Sequence, residues 1–421
     1  MAERLRVFFG DRLVGELHPL GGGRLAFEYS GSWLEDERSF AISMSLPLAP
    51  GRNSGQPAQA FFANLLPEGQ LREAVARQLG LSASNDYALL EAIGGECAGA
   101  LTILPEGASP DPSGGSYERL APDAIAQMAR RYAVLAEVTG RRAPRLSLAG
   151  AQDKLPVRLD KQGGFWLPVG GAPSTHILKV PSRDFKHLPA NEALITALGG
   201  ALSLAVVDVE LIRIEEVEIA VVGRYDRVVA DDGKTITRLH QEDLCQALGL
   251  LPGTKYEQEG GPGFADVMRV VRNRSTEPLA DAQQLLSWIA FVLLAGNCDG
   301  HGKNLSILYS VEGRDTRLAP FYDLVCTRVY PRLDRFLAMG VGGERDPGQI
   351  GRAHWEALGR SVGVGHRMVM REVERLATSK PAVFEEVAGK HVAAHGNSPV
   401  IQRIRQVIRK QCRRSLELLR Q

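Results

Sequence analysis

The chain has 421 residues, 44% of them hydrophobic, 24% charged and 6% aromatic, and its 50 Lys plus Arg against 49 Asp plus Glu leave a formal charge of +1. At roughly 150 residues per domain this is length for two to three domains with a substantial core, and the composition excludes a disordered or fibrous chain. The balanced charge excludes a global basic excess of the kind that binds nucleic acid or anionic membranes, so any such surface is local. Cys97, Cys245, Cys298, Cys326 and Cys412 are far apart, odd in number and without a CxxC pair. That usage points to a reducing, cytosolic compartment rather than a disulfide framework or a zinc site. The start, MAERLRVFFGDRLVGEL, is broken by charges and lacks the apolar run of a signal peptide. The long uncharged stretches Ala193–Val207 and Ala282–Cys298 fall short of the ~20 apolar residues of a membrane helix. The expectation is a soluble, cytoplasmic protein with no membrane association.

In chain order, LRVFFGDRLVGEL reads as two strands joined by a Gly-Asp turn, and RLAFEYS continues the sheet. Phe61, Phe62, Leu65, Leu66, Leu71, Val75 and Leu79 then recur at helical spacing up to Gly80, giving an α+β N-terminal unit. The segment EGASPDPSGGS, from Glu106 to Ser116, has a linker's composition and marks a domain boundary. The expected division is 1–108, 117–228 and 229–421. A helix begins at Pro122, with Ile125, Met128, Ala129, Tyr132, Leu135 and Val138 on its apolar face. Strand signals follow in PVRLD, GFWLPV and THILKV, then a helix over NEALITALGGALSL and strands around VELIRI and EIAVVGRYD. From Asp281 the pattern is mainly helical: Leu285, Leu286, Ile289, Val292 and Leu293 trace one buried face, and Ser398–Gln421 is amphipathic.

The strongest chemical signal is NCDGHGKN, Asn297 to Asn304, a polar and glycine-rich loop after an apolar helix. Asp299 and Asn304 stand at the D-x-x-x-x-N offset of kinase-type phosphotransferases, in which the Asp accepts the substrate hydroxyl proton and the Asn holds Mg²⁺. A polar helix cap and turn explains this motif alone equally well. Further candidates follow in the expected order. RLAPFYD delivers Asp323, a second magnesium ligand, from a hairpin begun by LSILYS. Lys179 in HILKVP carries an ammonium on a strand toward phosphates. Glu192 either orients Lys179 or is a first-turn acid favoured by the helix dipole. The loop SLAGAQDK, Ser147 to Lys154, has small residues able to bring backbone N–H groups to phosphate, though most such loops are ordinary turns. VVGRYDR offers Gly223 to Tyr225 to adenine and Asp226 to a ribose, a charged strand end being the plainer alternative. His301 contacts a phosphate or merely caps its loop. KYEQEGGPGF, Lys255 to Phe264, either covers the site or connects elements. The last helix carries seven basic residues against Glu417, a nucleic-acid contact or a solvated face.

With these residues in place the chain resembles the HipA family of bacterial serine/threonine kinase toxins. ISMSLPLAP, FFANLLPEG and IGGECAGALTILPE match its N-terminal subdomain; RLSLAGAQDKLPV, THILKVP, GRYDR, RLHQEDLCQALGL, KYEQEGGPG, NCDGHGKNLS and FYDL match its kinase core, in order. The resemblance implies an α+β, two-lobed kinase-like fold with a helical C-terminal lobe, ATP and Mg²⁺, Asp299 as catalytic base, and Asn304 and Asp323 as metal ligands. It implies an ATP site of Ala149, Gly150, Ala151, Gln152, Asp153, Lys154, Lys179, Gly223, Arg224, Tyr225, Asp226, His301, Lys303, Asn304, Tyr322 and Asp323. It also implies an inhibitory autophosphorylation site at Ser147, where a phosphoserine with close to two negative charges would compete for the loop's donors, with Arg142 and Arg145 near. A dimeric helix-turn-helix antitoxin with its operator DNA, and a substrate such as an aminoacyl-tRNA synthetase, are the implied partners. Two departures are mild: Asp153 replaces a usual Glu, and Gly302 a frequent Ala. A non-catalytic ATP-binding corepressor and a small-molecule kinase are the competing expectations.

Overall fold

The computed structural model describes residues 4–111, 114–131 and 152–421. The chain forms two compact units, Met1–Arg183 with Ile212–Gly253 and Ser306–Thr316, and Asp184–Leu211 with Thr254–Leu305 and Arg317–Gln421. The linker-like segment 106–116 lies within the first, so the units interleave along the sequence.

Unit one opens with β1 (Leu5–Phe9), β2 (Arg12–Gly21), β3 (Arg24–Tyr29), β4 (Arg52–Asn53) and β5 (Leu101–Pro105), in sheet order β4-β3-β2-β1-β5. Gly10 turns the first hairpin at φ 61, where glycine meets no Cβ penalty. The helix expected as one piece up to Gly80 is two, Gln56–Ala63 and Gly69–Leu79. Pro67 lies between them; its ring disfavours helical backbone at Leu66, and it has no N–H to continue the ladder. Gly80 does end the second piece, in the left-handed conformation.

The second sheet of unit one contains β6 (Ser116–Leu120), β7 (Lys154–Leu159), β8 (Phe165–Val169), β9 (His176–Lys179), β10 (Val209–Ile214) and β11 (Val217–Gly223), ordered β10-β11-β9-β7-β8-β6. The strands expected in PVRLD, GFWLPV and THILKV are β7, β8 and β9. β7 and β9 run antiparallel with Lys154 directly opposite Lys179. β12 (Arg227–Val229) and β13 (Ile236–Arg238) form a ribbon, while β14 (Gln241–Asp243), β15 (Ser306–Tyr309) and β16 (Thr316–Leu318) form a third sheet.

Unit two is helical, with Leu188–Ala201, Phe264–Arg274, Pro278–Ala295, Arg352–Ser361, His366–His395 and Pro399–Leu419. Helix Pro278–Ala295 has the length and apolarity of a membrane crossing, which the sequence reading denied it. It is nevertheless buried at every position from Leu285 to Ala295, rather than along one face. Helices His366–His395 and Pro399–Leu419 pack on it.

Lys380 of helix His366–His395 is fully buried. Its Nζ donates to the Phe291 carbonyl at 2.9 Å and stands 3.6 Å from the Phe291 ring centroid. Burial pushes this amine down from 10.5 to about 7, against upward pulls from the Cys412 and Cys326 thiols. The unfolded chain therefore takes up the proton at higher pH than the folded chain. Stability from this group is complete above the unfolded pKa and is lost as pH falls toward 7. Lys380→Met removes that linkage, so its Tm relative to wild type is predicted to be more favourable at pH 7 than at pH 10, read by thermal denaturation. A difference independent of pH would show that the amine is not held neutral.

Candidate active site

Helix Pro278–Ala295 ends at Gly296, φ 70, whose N–H donates to the Leu293 carbonyl. The loop that follows is tied on several sides within unit two. Asn297 N–H bonds the Val292 carbonyl at 2.9 Å, and the Asn297 side-chain oxygen accepts the Asp299 N–H at 3.1 Å. Cys298 N–H donates to Thr327 Oγ1 at 2.8 Å, and the Cys298 carbonyl accepts the Ala338 N–H at 2.9 Å. A Cβ at Gly300 would lie 3.1 Å from the Trp288 indole, so the loop is pressed on the helix where only glycine fits easily. This geometry leaves Asp299 exposed on a fixed backbone. Its Oδ1 accepts a hydrogen bond from the Tyr256 hydroxyl at 2.8 Å.

A single 3₁₀ turn, Gly302–Asn304, completes the loop. The His301 N–H donates to Asn304 Oδ1 at 3.0 Å, which fixes the orientation of that amide. Asn304 Nδ2 lies 3.4 Å from Asp323 Oδ2. Asp323 arrives from the other side on a clamped segment. Phe321 N–H donates to the Ala205 carbonyl at 2.7 Å, the Phe321 carbonyl accepts Val207 N–H at 3.0 Å, and the Phe321 ring stacks on Trp288 at 5.9 Å. Tyr322 then donates its hydroxyl to the Lys303 carbonyl at 2.8 Å. Asp323 is one of the few non-glycine residues with positive φ, 54°, a conformation that costs of order 1–3 kcal/mol and clusters at functional sites. Asp299, His301, Lys303, Asn304, Tyr322 and Asp323 therefore belong to one assembly.

The Asn304 amide nitrogen faces the Asp323 carboxylate, while its oxygen, with one lone pair on the His301 N–H, has a second to offer, so the two residues supply hard-oxygen ligands. These suit Mg²⁺, which takes one or two protein oxygens and completes its octahedron with water and phosphate. Among the described residues no group of three or more His, Cys, Asp and Glu forms an all-protein metal cage.

In unit one, the register that sets Lys154 opposite Lys179 places both side chains on one sheet face, and both residues are buried. Asp153 and Gln152 lead into β7: the Asp153 carbonyl accepts Val180 N–H, and Gln152 Nε2 donates to the Val180 carbonyl, each at 3.5 Å. Ala149, Gly150, Ala151 and the expected phosphoacceptor Ser147, with Arg142 and Arg145, lie outside the described residues. Glu192 is buried in unit two and sits beyond Leu188, Pro189, Ala190 and Asn191 in its helix, so it is not a first-turn acid. Gly223 ends β11, and the Tyr225 hydroxyl donates to Gln241 Oε1.

The side chains of Arg224 and Asp226 are buried in an ion network inside unit one. Arg224 donates to Asp226 Oδ1 at 2.9 Å, to Glu96 Oε1 at 3.1 Å and to Ser174 Oγ at 2.9 Å. Arg227 reaches Glu96 at 2.7 Å, and Gly99 N–H donates to Asp226 Oδ2 at 2.7 Å. Burial pushes the Asp226 carboxyl up, but Arg224 and Arg227 overcome it and hold it well below the usual range. Glu96 is likewise pushed up by burial and drawn down further by the same two guanidiniums. Glu96 and Tyr256 both escaped the sequence reading. The dense charge of GRYDR directly after an apolar strand was the one available sign of a buried network.

Two family models match: the HipA N-terminal domain over residues 5–104 and the HipA-like C-terminal domain over residues 146–384. The chain belongs to the HipA family. It is 39% identical over 379 residues to a putative kinase, Y4mE, of Sinorhizobium fredii, covering 89% of each chain. It is 30% identical over 405 residues to the serine/threonine-protein kinase toxin HipA of Shewanella oneidensis, covering 91% of this chain and 89% of that one. The solved complex of the Shewanella oneidensis HipA, HipB and their operator DNA contains a chain that matches with a TM-score of 0.84 at 27% identity over 98% of both. The α+β fold is thus that of the HipA family.

The network makes a prediction for this HipA-family chain. Asp226→Ala leaves two buried guanidiniums short of a counter-charge, and breaking such a pair costs about 3–5 kcal/mol. Denaturant unfolding should show that loss, while ATP affinity of the protein still folded, measured by calorimetry, stays within about threefold, a difference below 1 kcal/mol. A large loss of affinity with unchanged stability would place Asp226 at the nucleotide.

Proposed function

We propose that this HipA-family chain is an ATP- and Mg²⁺-dependent kinase that phosphorylates serine or threonine on a protein and acts as a growth-arresting toxin. The observation that carries the proposal is that Asn304, in the loop after helix Pro278–Ala295 that also bears Asp299, meets Asp323 from a separate segment, in the order and spacing of a phosphotransferase site. In this mechanism an acceptor hydroxyl hydrogen-bonds to the Asp299 carboxylate. As its oxygen bonds to the γ-phosphorus, its proton passes to Asp299, and the bond from that phosphorus to the β–γ bridging oxygen breaks to release ADP. Asn304 Oδ1 and the Asp323 carboxylate would hold Mg²⁺, which neutralises charge on the phosphates. Lys154 and Lys179, both buried and directly opposite each other on one sheet face, are the proposed phosphate ligands of unit one. Glu192 as the partner of Lys179, residues 149–151 over the phosphates and Gly223 to Tyr225 at the adenine complete the proposed site.

The proposed setting is the cytoplasm. A translation protein such as an aminoacyl-tRNA synthetase is the substrate, and phosphorylation of Ser147 is the off-switch. The structural neighbour's complex with HipB and operator DNA supports a helix-turn-helix antitoxin, and DNA through it, as partners. The basic last helix gives the corepressor alternative little support. Arg405 and Arg409 pair with Glu385, and Arg414 donates to the Gly348 carbonyl.

Intact mass after incubation with ATP and Mg²⁺ tests the proposal. Wild type should gain one phosphate, Ser147→Ala none, and Asp299→Gln should transfer at least about 10²-fold more slowly, the usual worth of a general base. Phosphatase-treated protein that binds ATP and transfers nothing would favour a binding protein instead.

A further inference from the structure

The glycine-rich segment Lys255–Phe264 remains to be explained. It is folded tightly on itself: Gly261 N–H donates to the Tyr256 carbonyl at 2.8 Å, and a Cβ at Gly261 would fall 2.6–2.7 Å from backbone atoms of Thr254, Lys255 and Tyr256. Within unit two it meets the Asp299 loop at three points. The Lys255 carbonyl accepts Gly302 N–H at 3.3 Å, the Tyr256 ring packs edge-on against His301 at 5.3 Å, and the Tyr256 hydroxyl donates to Asp299 Oδ1 at 2.8 Å. Its far side is anchored as well. Glu257 N–H donates to the Ala338 carbonyl at 3.2 Å, and Glu257 Oε2 accepts Gly340 N–H at 2.5 Å. Ala338 N–H in turn bonds the Cys298 carbonyl beside Asp299. The contacts close a ring from Asp299 through Tyr256, Glu257 and Ala338 back to Cys298.

We infer that Tyr256 is a positioning residue for phosphoryl transfer, holding Oδ1 of Asp299 so that Oδ2 faces the acceptor hydroxyl; this rests on the reading of Asp299 as the base. The physical need is clear. An exposed aspartate samples several rotamers, whereas a general base must stand within about 2.6–3.2 Å of the proton it takes. The phenol hydroxyl donates to one carboxylate oxygen and so fixes the orientation of the group, leaving the other oxygen for the acceptor.

The test uses the full chain and its Tyr256→Phe variant, with Asp299→Gln alongside. Initial rates of phosphate incorporation are measured against ATP concentration. Loss of a hydrogen bond to a charged group should lower kcat roughly 10- to 100-fold, with KM for ATP within about twofold. A merely structural tyrosine would not give that split between kcat and KM. Carboxyl ¹³C NMR of labelled aspartate at neutral pH gives a readout independent of activity: the resonance absent from Asp299→Gln should change its chemical shift in Tyr256→Phe. A variant as fast as wild type, or faster because the phenol had occupied the acceptor's place, overturns the inference, as does an unmoved carboxyl resonance. Wild-type transfer by Asp299→Gln would instead remove the base itself, which separates failure of the inference from failure of the proposed function.

Discussion

Trp288 is the constraint on which the candidate site depends. It is fully buried in helix Pro278–Ala295, and three segments are fitted to its indole. Gly300 gives the Asp299 loop its close approach, Phe321 stacks on it two residues before Asp323, and Phe264 packs edge-on at 6.3 Å where the Tyr256 segment turns into a helix. One rigid side chain thereby sets the backbone of the carboxylate, the amide and the phenol together. Interiors packed at crystal density transmit such constraints well. Reactive groups on loops are precise here because the loops rest on a packed helix.

Unit one answers a different demand. Lys154 and Lys179 are buried directly opposite each other across β7 and β9. The cluster of Glu96, Arg224, Asp226 and Arg227 pairs its charges with one another. It connects the turn after helix Asp86–Ile93 to the start of β12, so its work is to hold parts of unit one together. A buried cluster of this kind is weak evidence for net stability but is costly to break.

Much of this was legible in the sequence because it was local. Alternation predicted the strands later found as β1, β2, β3, β7, β8 and β9, and the D-x-x-x-x-N spacing with the FYD segment named the residues that meet at Asn304 and Asp323. What escaped was partly local and partly a matter of contacts between segments far apart. The helix before Gly80 breaks at Pro67, a local signal that the apolar spacing overrode. The ion network around Asp226 was not legible because nothing local announces Glu96, more than a hundred residues away, as its neighbour's counter-ion. Tyr256 was visible only as part of a loop, since the carboxylate it reaches lies 43 residues on. Helix His366–His395 runs through Pro381, a residue that normally argues for a helix end.

A crystal structure of the full chain with a non-hydrolysable ATP analogue and Mg²⁺ tests the central claim most directly. The predicted result is a metal on Asn304 Oδ1 and the Asp323 carboxylate, with the γ-phosphate facing Asp299. Nucleotide and metal bound elsewhere, with those three side chains untouched, would contradict it.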